Sequence, residues 1–154
     1  MQAIRWHSVN IGPMGNPKQI TVKTMVKAPV ALVWAYWTEP RHVKKWNQAS
    51  ADWHTPKAEN QLRIGGKFSY RMEAKDGSFG FDFWGTYNEV EPNHKLSFTL
   101  GDGRMVGIRF VEADGKTQIT ETFEAEETNP LEMQKNGWQA ILDNFKRYVE
   151  SEPI

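Results

Sequence analysis

Apolar and polar residues alternate along this chain at two different periods, and each change of period marks an element. From Ile20 the run ITVKTMVKA alternates, with Ile20, Val22, Thr24 and Val26 on one face, as in a strand buried on one side. Pro29 follows, where a helix can open without needing the absent N–H. Val30, Val33, Trp34 and Trp37 then recur at i, i+3, i+4 and i+7 and predict a helix packed by that stripe. Glu39-Pro40 interrupts it, and Pro40 opens a second short helix whose Val43 and Trp46 are three residues apart.

A stretch from Asp52 to Arg63 shows no sustained period and is expected to be irregular. Five β-like runs come next: Lys67 to Lys75, Phe79 to Glu91, Lys95 to Leu100, Arg104 to Val111 and Lys116 to Glu126. Their short Gly-, Asp- and Asn-containing connectors predict hairpins, hence an antiparallel meander. Asn129 can cap a final helix with Pro130 in its first turn, and Trp138, Ile141, Leu142, Phe145 and Val149 form its apolar stripe. Residues 1–19, with Gly12, Pro13, Gly15 and Pro17, read as an irregular N-terminal arm ahead of one domain over 20–151. A strand, two short helices, hairpin strands and a long helix make an α+β fold class with the helices on one side of the sheet.

The 154 residues fit one domain with a substantial core. Lys plus Arg and Asp plus Glu both number 19, so no net field favours nucleic acid, and no nucleic-acid partner is expected. The absence of cysteine excludes disulfides, thiolate metal sites and a cysteine nucleophile, and suits a reducing compartment. No segment has the pattern of a membrane span or signal peptide; a cytoplasmic location without membrane insertion is the expectation. Seven Trp, eight Phe and four Tyr suit both a core and the wall of a binding cavity.

The stretches APVALVWAYWTEPRHVKKW, LRIGGKFSYRMEAKDG, GTYNEVEPNHKLSFTL and NGWQAILDNFKRYV, in that order, resemble the AHSA-type family, named for homologues of an activator of the Hsp-ninety chaperone's ATPase. That family belongs to the START-like, or SRPBCC, helix-grip superfamily. The resemblance covers roughly Ile20 to Val149. It implies a curved antiparallel sheet of about seven strands around the long C-terminal helix, with a cavity between them that in relatives holds apolar molecules. It does not imply one activity, since relatives include carriers, cyclases, hydrolases and chaperone regulators.

The chemistry is sparse. His7, His42, His54 and His94 are scattered, with no i, i+4 pair to share a metal, so neither a metal nor another cofactor is expected. There is no nucleophile elbow and no phosphate-binding loop. Within FGFDFWGTYNEV, Asp82 stands between Phe81 and Phe83. Facing a cavity, it would need a partner such as Arg71 or His54 and would be an acid or base candidate. Facing outward, it would simply pair with a basic residue of a neighbouring strand. Phe68, Tyr70 and Met72 share one face of their strand and are expected to line the interior, with Arg71 and Glu73 on the other.

In the helix-grip arrangement Trp46, Trp53 and His54 border the cavity mouth; they are read as a ligand gate, or, for Trp46, as the residue that buries the short helix. Trp84, Trp138, Ile141 and Phe145 complete the expected walls and floor. Three functions follow: binding of a small apolar or amphipathic molecule, an enzyme using Asp82 or His54 as acid or base, and regulation of a chaperone partner. A face carrying Phe81, Phe83 and Tyr87, if outward, would support a homodimer.

Overall fold

The computed structural model describes residues 18–151, so the expected arm lies, as far as residue 17, outside the described residues. The element order is β1 (Gln19–Val26), α1 (Val30–Thr38), α2 (Pro40–Trp46), β2 (Trp53–Asn60), β3 (Lys67–Ala74), β4 (Gly80–Glu91), β5 (Lys95–Leu100), β6 (Met105–Ala113), β7 (Lys116–Glu124) and α3 (Leu131–Ser151). All seven strands join one antiparallel sheet in the order β1-β7-β6-β5-β4-β3-β2. The curled sheet, the two short helices after β1 and the long C-terminal helix make the helix-grip fold.

The irregular stretch expected over 52–63 is corrected by β2. Its sequence WHTPKAEN hides the period because Pro56 breaks it and because the register against β3 shifts between His54 and Lys57. A proline is tolerated there since β2 is an edge strand, whose outer N–H groups need no ladder partner. The β6–β7 hairpin turns through Asp114 (φ 56°) and Gly115 (φ 75°), the left-handed pair a two-residue turn requires.

Pro29 is the residue before α1 rather than its first, and the N–H of Val30 donates to the Glu112 carboxylate on β6 at 2.7 Å. This ties the helix start to the sheet. At the start of α3 the Asn129 side chain donates to Glu126 (2.6 Å), and the Gln134 amide donates to the carbonyls of Glu126 and Asn129.

The concave face of the sheet holds the core. Val22, Ile108, Ile119 and Phe123 are buried beneath Leu142, Phe145 and Val149 of α3, each large side chain contributing roughly 1.5–3 kcal/mol. At the β1 edge, Gln139 and Lys146 donate to the carbonyls of Lys23 and Met25, and Glu150 accepts from the Lys27 N–H. The Trp37, Trp46 and Phe145 rings, with centroids 4.7–4.9 Å apart, lock α1 and α2 onto α3. Among the described residues no helix is long and apolar enough to cross a membrane.

Candidate functional site

Between the sheet and α3 lies a cavity of about 230 Å³. Its shape follows from strand parity. Phe68, Tyr70 and Met72 of β3 pair with Gly85, Phe83 and Phe81 of β4, so all six positions look inward. Gly85 leaves room for Phe68: a Cβ there would sit 2.9 Å from that ring and 2.9 Å from the Thr99 carbonyl. The β4 register shifts between Tyr87 and Glu89, which returns Val90 to the side of its partner Leu96 and bends the strand.

Leu96 and Phe98 of β5 and Ile108 of β6 continue the wall, Trp138 and Ile141 of α3 close it from above, and Trp37 and Trp46 seal one end. Trp138 is held by stacking on Phe123, centroids 3.8 Å apart and planes within 9°.

The wall's polar groups are Asn47, Tyr70, Tyr87, Arg104 and Glu121, and most are already engaged. The Tyr87 hydroxyl donates to Asn60 at 2.8 Å and is hydrogen-bonded to the Tyr70 hydroxyl. Burial pushes Tyr87 up to about 12 and Tyr70 well above its usual value, so both stay neutral. The Asn47 amide reaches Thr55 at 3.4 Å. Arg104 is bound to Asp102 (2.8 Å) and to the Glu124 carbonyl (3.3 Å).

Glu121 is different. It occupies an inward position of β7, between Val22 on β1 and Ile108 on β6, and is 7 % exposed. Burial alone pushes its carboxyl up to about 8. Sequence reasoning missed it, although Thr117, Ile119, Glu121 and Phe123 alternate on one side of β7, so the acid stands where the period requires an apolar residue.

The predicted residues divide. Trp46, Phe68, Tyr70, Met72, Trp138 and Ile141 line the cavity. Trp46 also buries α2, with its indole N–H on the Tyr36 carbonyl. Phe145 lies in the core rather than on the wall, packed on Trp37 and Trp46.

Trp84 is a correction. By parity it faces outward, 41 % exposed, with the Lys67 ammonium 5.5 Å from the ring. Trp53 is a second correction as a ligand-binding residue: it packs against Phe79 and Phe81, centroids 6.2 Å away, and is not itself part of the lining.

Asp82 and His54 are corrected together. They lie on the convex face, where His54 meets Glu73 at 3.6 Å, Glu73 meets Arg71 at 2.9 Å, and Arg71 meets Asp82 at 3.5 Å. With its side chain 57 % exposed, Asp82 takes the outward reading, in a solvated charge ladder. The outward face of Phe81, Phe83 and Tyr87 is overturned by the same parity, since all three line the cavity, and with it goes the argument for a dimer through them. Among the described residues no three His, Asp or Glu are grouped to hold a metal.

Residues 27–150 match the family described as "Activator of Hsp90 ATPase homolog 1-like protein". The fold is similar to the solution structure of the AHSA1-like protein from Aeromonas hydrophila, with 45 % identity, a TM-score of 0.82, and coverage of 87 % of this chain and 93 % of that one. It is also similar to Chr148 from Cytophaga hutchinsonii, with 48 % identity, a TM-score of 0.75, and 88 % and 97 % coverage. The crystal structure of NE0264 from Nitrosomonas europaea shares the fold at 23 % identity and a TM-score of 0.76, over 88 % and 96 % of the chains. No curated protein matches the sequence.

Proposed function

The chain belongs to the activator of Hsp90 ATPase homolog 1-like family, and we propose that it binds a small apolar or amphipathic molecule in the cavity between sheet and α3. The observation that carries this reading is the cavity itself: about 230 Å³ in a close-packed domain, walled by aromatic rings on β3, β4 and α3. Native interiors have few voids larger than a water molecule, and a space of this size with such walls suits a ligand. The enzyme reading through Asp82 or His54 loses its basis, because both side chains stand on the convex face in water.

Native mass spectrometry of the purified protein, followed by denaturing extraction, tests the proposal. The expected result is a stoichiometric small molecule, or a ligand from an apolar panel that raises the melting temperature. At a hundredfold excess over Kd the stabilisation is about 2.7 kcal/mol. Ile141→Trp, which projects a larger ring into the cavity, is expected to remove that shift. An empty protein that no compound stabilises overturns the reading.

A further inference from the structure

Among the described residues Glu121 is the one acid on the cavity wall, and its setting specifies more than an apolar ligand. It stands midway along β7 with apolar cross-strand neighbours on both sides, Val22 and Ile108. Among the described residues its carboxyl has no hydrogen bond or ion pair, whereas Tyr70, Tyr87, Asn47 and Arg104 are engaged with protein groups. A buried, unpartnered carboxyl is a costly feature unless something else completes it.

The titratable groups that share the wall with it are Arg104, Tyr70 and Tyr87. The other elements packed around it, β1, β5, α1 and α3, present apolar side chains. Arg104, just ahead of β6, makes no ion pair with Glu121: its guanidinium is bound to Asp102 and to the Glu124 carbonyl. Among the described residues, therefore, no cation compensates an ionised Glu121.

We propose that Glu121 is the polar anchor of the cavity, its carboxylic acid donating a hydrogen bond to a carbonyl-type acceptor oxygen on an otherwise apolar, uncharged ligand. This rests on the cavity-binding reading and adds the class of ligand. Burial holds the acid protonated up to about pH 8, so at neutral pH it is an O–H donor aimed into an apolar space. An acceptor oxygen completes that donor without moving any charge out of water. A cationic amine would instead require the acid to ionise and two charges to be desolvated together.

Three probes on one carbon skeleton separate the outcomes: 2-acetylnaphthalene has the acceptor oxygen, 2-ethylnaphthalene lacks it, and 1-(2-naphthyl)ethylamine is a cation at neutral pH. Equilibrium dialysis of the full chain at pH 6 and pH 9 gives their affinities. At pH 6 the acetyl compound is expected to bind roughly fivefold more tightly than the ethyl compound, the worth of one net hydrogen bond. That preference should fade at pH 9, where the raised pKa has been passed and the donor proton is lost. Glu121→Leu should abolish the preference while keeping ethyl binding, and Glu121→Gln, still a donor, should keep part of it at both pH values. Equal binding of the acetyl and ethyl compounds at pH 6, a preference that survives in Glu121→Leu, or an amine that binds tightest and gains with pH would each overturn the anchor alone. If none of the three binds, the cavity reading fails and the anchor falls with it.

Discussion

Asp82 and Glu121 belong to the same sheet, and their surroundings in the fold are the reverse of their surroundings in the chain. Asp82 is flanked by Phe81 and Phe83 yet stands in water beside Arg71, 57 % of its side chain exposed. Glu121 is flanked by Thr120 and Thr122 yet is buried among apolar groups, with its carboxyl pushed up to about 8. In a strand the adjacent residues point to the opposite face, so sequence neighbours describe the side an acid avoids. The two faces of β3 and β4 repeat this at larger scale: Phe68, Tyr70 and Phe83 meet α3 across the cavity, while Arg71, Glu73 and Asp82 form a charge ladder in solvent.

The largest effect that would break this contrast concerns pH. The folded-state pKa of Glu121 lies above the unfolded one, so between about pH 4.5 and pH 8 the folded chain holds a proton that the unfolded chain has released. Its contribution to stability is therefore lost as pH rises across that window and is flat above it. Urea unfolding of the wild type and of Glu121→Gln at pH 5 and pH 9 should show the variant gaining a few kcal/mol on the wild type at the higher pH. Parallel curves would mean that the carboxyl is solvated after all.

A smaller effect separates the faces by volume. Gly85→Ala forces a methyl group against Phe68 and the Thr99 carbonyl and is expected to lower stability by about 1–3 kcal/mol. Gly107, where an added Cβ meets nothing within 4 Å, is the control, and Gly107→Ala should show no such loss. The smallest effect is on the convex ladder. Asp82→Asn should leave both the unfolding midpoint and probe affinity unchanged within error, because an exposed pair across 3.5 Å is weak; a lost affinity would return Asp82 to the cavity's chemistry.

Most of the scaffold was legible. The α3 stripe of Leu142, Phe145 and Val149 is buried as its spacing requires, and the hairpin connectors fall where the meander turns. β2 was not, because Pro56 and a register shift remove the periodicity by which strands are recognised. On β3 the alternation sorted Phe68, Tyr70 and Met72 together. On β4 the same alternation puts Asp82 and Trp84 on one side and Phe81 and Phe83 on the other, but rings on both sides of the strand leave the inward side undecided in the sequence.

The chain by itself determined which residues share a side of each strand or helix, since that follows from backbone periods of 2 and 3.6 residues. Only the tertiary structure decided which side became the interior, because that depends on where α3 packs and how the sheet curls around it. The same holds for Glu121: its raised pKa comes from water excluded by β1, β6 and α3 together, segments far apart in sequence that meet around one carboxyl only after the sheet has closed.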